Sequence, residues 1–419
     1  MSTDDILGKV LKRIKPTGTK ATKEVKDFLL KLNAKIAKAK IKAKATVGGS
    51  MAKDTYLKGD HDCDIFVRFD YSYKEKDISK ELAKILKSWK PDVVHGSRDY
   101  YHIKNNLNFE IVPVLDLKNP KDAVNVTDMS PMHVDWVKKH PGMNDEIRLA
   151  KQFCKANGVY GAESYIKGFS GHVLDILTIH YGGFMNLLKA SQKWKEKEVI
   201  DTERYYKKDA LMQLNRSKIE GPIIIIDPVL PARNAAAALS SEKLEIFKKA
   251  AERFLKNPSE TAFEIKEKTA QELKKEAAGN KLIVLEVTSA KGKEDVIGAR
   301  ILKAFQQIKN QLKFYDFTII DAGWKWDKST KAMFWFILDP KDLFPITKWV
   351  GPPIDDKERV ENFKTKHEKT FIENGRVSTY MKRKYVNANE LIDSIIENDE
   401  YIYEKVKKVT VWKEKKRRG

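Results

Sequence analysis

Cysteine is almost absent. Cys63 and Cys154 are the only two in 419 residues, and they stand far apart, outside any CxxC setting. Their scarcity argues against a disulfide framework and against a zinc knuckle, and it points to an intracellular, cytoplasmic protein. Long apolar runs are missing too. The longest, IIII at residues 223–226 and AMFWFIL at residues 332–338, fall far short of the ~20 residues that span a bilayer. The opening MSTDDILGKVLKRIK lacks the apolar stretch of a signal peptide, and no segment repeats at a solenoid period. Acid is the scarcer charge: 59 Asp and Glu face 80 Lys and Arg, for a net charge of +21. Such an excess is the footprint of a polyanionic partner, nucleic acid first and an anionic membrane surface second. With 42% apolar residues the chain can fold into two or three domains with real cores.

Helical spacing of Val25, Phe28, Leu29, Leu32, Ile36 and Ile41 predicts a helix with a lysine-rich outer face. A short strand, a GGS turn and a strand beginning DCDIF follow. A helix over ISKELAKILKSW ends before Pro91, and VVHGSRDYYHIKNNLNFEIVPVLDL reads as a hairpin. Strands and helices mix through residues 1–140, which form one unit. Residues 141–257 turn mostly helical, except where the β-branched run stops at Asp227-Pro228, with a helix expected from near Asn234. Residues 258–419 hold three strands around the long helix EDVIGARILKAFQQIKNQL. The proline-rich WVGPPIDD then leads into a charged, partly helical end closed by the basic VWKEKKRRG. The fold class expected is α+β and multidomain.

The chemistry lies in the first unit. Period-two alternation sets Asp62 and Asp64 on one strand face and Cys63, Ile65 and Val67 on the other. Two carboxylates side by side repel unless something positive meets them, and at this spacing they can share hard cations such as magnesium. Gly48, Gly49 and Ser50 form a turn able to offer N–H groups to phosphate. A third acid, Glu110, lies in a strand that can pair beside the first. Three acids and a small-residue turn are what two-metal phosphoryl transfer requires.

These motifs carry a resemblance. GGS, KDTYLKGDHDCDIF and FEIVP are similar to the polymerase-β nucleotidyltransferase superfamily. SPMHVDWVKKH, RLAKQFCKANGVYGAE, KGFSGHVLDILTIHYGGF and DPVLPARNAAAALS closely resemble the archaeal, class I CCA-adding enzymes. The resemblance covers most of the chain. It implies a polymerase-β-like head, a helical neck, and a body and tail holding the acceptor and T arms of tRNA. It also implies untemplated addition of C, C and A to the tRNA 3′ end from CTP and ATP, and a homodimer, since dimers are usual in the family. Carried over by position, Asp62, Asp64 and Glu110 hold the two Mg2+. Ser50 and Lys53 hold the triphosphate, and His133, Lys151 and Tyr160 also contact the nucleotide. Arg233 matches the base-selecting arginine. Two positions depart from the family pattern: Glu110 stands where aspartate is common, and Leu230 where an acid is frequent. Aromatics mixed with basic residues after residue 258 (Trp324, Trp326, Phe363, Tyr380, Tyr385) are candidates to meet RNA.

Three other readings stay open on the sequence alone: a poly(A)-polymerase-like or oligoadenylate-synthetase-like enzyme of the superfamily, an RNA-binding relative without catalysis, and a peripheral membrane protein. The intact acid triad argues against the second. The lack of a basic amphipathic helix with large exposed apolar residues argues against the third.

Overall fold

A computed structural model describes residues 2–60, 62–207, 209–266 and 268–413. They form two compact units, Met1–Lys266 and Glu267–Gly419. In the first, the helices are α1 (Thr3–Ile14), α2 (Thr19–Lys38), α3 (Gly49–Ala52), α4 (Ile78–Leu86), α5 (Ser130–Lys138), α6 (Asn144–Ala156), α7 (Gly171–Tyr181), α8 (Phe184–Ser191), α9 (Ala210–Gln213) and α10 (Ser241–Lys256). The strands are β1 (Ala43–Val47), β2 (Asp62–Phe69), β3 (Asp92–Val94), β4 (Tyr100–Lys104), β5 (Asn108–Leu115), β6 (Glu198–Ile200) and β7 (Ile223–Ile225).

β1 to β5 make one sheet in the order β1-β2-β5-β4-β3. Its central pair, β2 and β5, runs parallel, so the two strands begin at the same edge. The alternation in β2 works as the pattern predicts. Cys63, Ile65 and Val67 are fully buried and pack with Phe28, Leu32 and Leu82 from α2 and α4. The expected hairpin carries a third strand, β3, at the sheet edge.

A second core gathers α6, α7, α8 and α10 around Phe153, Phe169, Phe184, Phe247, Phe254 and Phe263. It also takes in Ile6, Leu7, Val10 and Ile14 of α1, although α1 opens the chain. No helix starts near Asn234. The Asn234 side chain instead ties the loop, accepting from Ile225 N–H and Ala236 N–H and donating to Lys218 O. The next helix waits for Ser240, which caps α10. Asn and Ser prefer such local bonds to a helix interior, which is why the start shifts.

The second unit has a four-stranded sheet, β14-β8-β10-β9, from β8 (Lys281–Thr288), β9 (Ile319–Trp326), β10 (Lys331–Leu338) and β14 (Lys408–Val411). The long helix α12 (Glu294–Phe314) covers it, with α14 (Ala388–Asn398) and α15 (Glu400–Lys405) completing the core, and α11 (Ala270–Ala277) precedes β8. Trp349 to Pro353 lie in a strand, β11 (Ile346–Pro353), not a loop. β11 pairs with β13 (Arg376–Lys382), which also pairs with β12 (Thr370–Glu373). α13 (Lys357–Lys366) packs its Val360 and Phe363 on Val377 of this sheet. Phe363 is therefore a core residue rather than an RNA-facing one. Tyr380 is 65% exposed and stacks on Phe371. In VWKEKKRRG, residues 414–419 lie outside the described residues. No described helix is long and apolar enough to cross a membrane.

Candidate active site

The acids converge because of strand register. In the parallel pair β2–β5, Asp64 stands opposite Glu110 and Asp62 opposite Asn108. Each outer acid has a neighbour: Asn108 Nδ2 donates to Asp62 Oδ1 over 3.1 Å, and His102 Nε2 lies 3.2 Å from Glu110 Oε2. That carboxylate contact raises the His102 pKa. Asp64, between them, is pushed up to about 6, first by burial and then by the charge of Glu110, against the pull of Lys53. A carboxylate lifted this far by crowding is a group waiting for positive charge.

The GGS turn abuts the same acid. Gly48 N–H donates to Asp64 O at 2.7 Å. Gly49 has φ +52, and a Cβ placed on it would sit 1.6 Å from Asp64 Oδ2. Only glycine fits there, on conformation and on space together. Ser50 follows, half-buried, as the second residue of α3.

The loop from Lys53 to Asp60, which carries the chain from α3 into β2, is gripped by one face of α6. Asn144, Arg148, Lys151 and Lys155 recur at helical spacing. Asn144 Nδ2 donates to Lys53 O, and Arg148 Nε to Tyr56 O. The Arg148 guanidinium also pairs with Asp54 and Asp145, while Lys155 Nζ reaches Asp60 Oδ1. Lys151 Nζ donates to Thr55 Oγ1 at 2.8 Å. Lys151 and Arg148 are buried, not solvent-facing as lysine and arginine on a helix usually are. Asp54 has φ +50, so the turn just after Lys53 is a left-handed one held by Arg148.

Two buried carboxylates organise the remaining site candidates. Asp175 of α7 takes Lys53 Nζ at 2.7 Å and has Lys151 Nζ at 3.6 Å. Burial alone would raise its pKa, yet Lys53 and Lys151 bring it to about 2. The Tyr160 hydroxyl and the tail of Lys151 both flank Gly171, at whose position a Cβ would lie 3.1 Å from the one and 3.7 Å from the other. Asp227, ending the β-branched run, faces His133 Nε2 at 3.0 Å and Arg233 Nη1 at 2.5 Å. His172 Nε2 stands 3.6 Å away. Burial lowers the His172 pKa to about 4, so it is neutral near pH 7. His133, His172 and Asp227 place ligand-type atoms within 4.8 Å of one another. However, the Asp227 oxygens are already taken by His133, Arg233 and the N–H groups of Val229 and Leu230. Asp227 is an ion-pair hub.

Asp175, Asp227, His102, His172 and Arg148 were not among the site residues expected from the sequence, although Asp227 marked the end of the β-branched run. One signal was present for α7: His172 and Asp175 stand i and i+3 in the apolar GHVLDILTI, a polar pair on one face of a buried helix.

Comparison with known proteins agrees across all three sections. The profile of a nucleotidyltransferase domain matches residues 23–124. That of the second domain of tRNA nucleotidyltransferase matches 145–264, and that of the C-terminal domain of the CCA-adding enzyme matches 278–410. A CCA-adding enzyme of Nanoarchaeum equitans is 37% identical over 353 residues, covering 81% of this chain and 84% of its own. One of Methanococcus maripaludis is 32% identical over 410 residues, covering 94% and 91%. Among solved structures, a cytoplasmic RNA terminal U-transferase superposes with a TM-score of 0.50 at 14% identity, over 64% of this chain and 99% of that one, a likeness of fold. The chain belongs to the family of CCA-adding enzymes, the tRNA nucleotidyltransferases.

Proposed function

We propose that this chain adds C, C and A to the tRNA 3′ end by a two-metal reaction built on Asp62, Asp64 and Glu110. The single observation that carries the assignment is the register that sets Glu110 beside Asp64, with Gly49 pressed against the Asp64 carboxylate. An all-oxygen donor set with an acid of raised pKa fits a hard divalent cation, Mg2+ among them. Bound there, two ions supply charge that eases loss of the 3′ hydroxyl proton and offsets charge on the leaving pyrophosphate.

The chain's own residues do the positioning. The tRNA 3′ oxygen bonds to the α-phosphorus of CTP or ATP, the bond to the β-phosphate oxygen breaks, and the hydroxyl proton goes to solvent. Ser50, Lys53, Lys151 and Tyr160 hold the triphosphate in line, which is worth most when the donors are fixed in advance. His133 contacts the nucleotide and Arg233 its base, both steadied by Asp227. Arg233 carries donors only, so it meets a ring nitrogen or carbonyl, not the amino group that cytosine and adenine share. Residues 1–140 serve as catalytic head, 141–257 as neck and 258–419 as the body and tail for the acceptor and T arms.

The test is incubation with tRNA ending at the discriminator base, giving each nucleoside triphosphate singly and then CTP with ATP, with and without chelator. Two C residues from CTP alone, CCA from the pair and nothing under chelator support the reading. A long A tail from ATP alone refutes it in favour of a poly(A) polymerase.

A further inference from the structure

We infer that Asp175 is a positioning residue for the nucleotide triphosphate, a buried carboxylate that holds Lys53 and Lys151 beside each other. The inference rests on the reading of those two lysines as triphosphate ligands, and it adds a residue that touches no substrate.

Three observations carry it. Lys53 comes from the loop beside the DxD strand and Lys151 from α6, so no single element fixes their separation. Asp175, from a third element, meets the first at 2.7 Å and stands 3.6 Å from the second. All three side chains are buried, with Asp175 wholly so. Two ammonium groups out of water repel each other, and burial pulls the Lys151 pKa down. One carboxylate between the two ammonium groups offsets their repulsion without cancelling both charges, and the surplus is left for phosphate. Donor arithmetic agrees. Each ammonium has three N–H groups. Among the described residues Lys53 spends one on Asp175, and Lys151 divides its bonds between the hydroxyl and carbonyl of Thr55. Asp175 Oδ1 has no hydrogen-bond partner, so Lys151 can close on it without Lys53 letting go. The charges of both lysines also pull the Asp64 pKa down against its burial.

Asp175→Asn keeps the shape and removes the charge. The expected result is a rise in KM for CTP and ATP alike, about ten- to a hundredfold, the scale of a lost charged hydrogen bond. Binding of inorganic tripolyphosphate should weaken equally, while kcat, the KM for tRNA and the choice of C and A stay within about twofold. In a Lys53→Met/Lys151→Met background the same substitution should cost nothing further. Unchanged triphosphate affinity, or an equal loss in both backgrounds, overturns the inference. If the double lysine variant itself binds tripolyphosphate like the wild type, it is the assignment of the lysines that falls. Should Asp175→Asn alone not fold, the charge-balanced Lys151→Met/Asp175→Asn serves instead. It must bind tripolyphosphate more weakly than Lys151→Met, and equality between the two overturns the inference.

Discussion

Asp64→Asn should make the metal-free protein more stable at neutral pH while destroying its activity. In the folded chain the Asp64 carboxyl is raised from 3.8 to about 6 by burial and by Glu110. A raised acid binds its proton more tightly folded than unfolded. Its contribution is therefore fully present below the unfolded pKa and is lost as pH rises through the folded one. Between pH 4 and 6 the penalty of ionising Asp64 grows, and above pH 6 it is complete. At about 1.4 kcal/mol per unit the limit is roughly 3 kcal/mol, and solvent at this half-buried site brings it to about 1–3 kcal/mol. For a unit of this size that is roughly 2–5 °C in the midpoint of its unfolding. The assay is thermal unfolding with chelator at several pH values. His102, whose pKa is also raised, stabilises in the same direction as pH falls. The quantity to follow is thus the difference between variant and wild type, which subtracts His102. The variant should melt higher at pH 8 and the gap should close by pH 4. Added Mg2+ should raise the wild type and leave the variant unmoved. A variant that melts lower at pH 8 in chelator, or a gap that ignores pH, refutes the crowded-acid account.

Glu110→Ala should cut nucleotide addition by several orders of magnitude with the fold intact, since several kcal/mol of transition-state charge stabilisation go with it; single-turnover addition at near-wild-type rate rules Glu110 out. Arg233→Ala should lower use of CTP and ATP and blur discrimination against UTP, because a site that no longer pairs its base loses selectivity; competition between CTP and UTP measures it. Arg148→Met should destabilise the first unit by about 2–4 kcal/mol, since Tyr56 O and two carboxylates lose their partner together, which denaturant unfolding followed by tryptophan fluorescence reads directly. A minihelix of acceptor and T arms should be as good a substrate as whole tRNA, with affinity falling steeply in salt, about −0.9 in the log–log slope for each phosphate neutralised. A minihelix that fails where tRNA succeeds shows that the anticodon half is being read.

The sequence carried whatever one period or one motif encodes. Cys63, Ile65 and Val67 point inward and Asp62 and Asp64 outward because alternation leaves no other choice. The parallel partner of β2 was legible only as a strand able to pair; which residue would face Asp64 depends on register, and register comes from the packed sheet. The helix expected near Asn234 failed because a side chain took over backbone partners, a competition that periodicity does not see. Phe363 looked like an aromatic among cations and proved to be the plug under a small sheet.

Lys151 shows why the rest of the site was hidden. On its own helix it is one more lysine, and base rates send it to solvent. It is buried because Asp175 and Thr55, from two other elements, close over it. The same holds for His133, which turns to a carboxylate ninety-four residues later. Lys53, Lys151 and His133, candidates for the nucleotide site, each meet an acid that no local pattern connects to them, whereas Arg233 meets Asp227 within its own DPVLPARN motif. The acids in turn would be intolerable in their buried places without those cations. Charge balance at the site is a property of the assembled unit. A cation carried over by resemblance is therefore only half of an ion pair, and the structure supplies the other half.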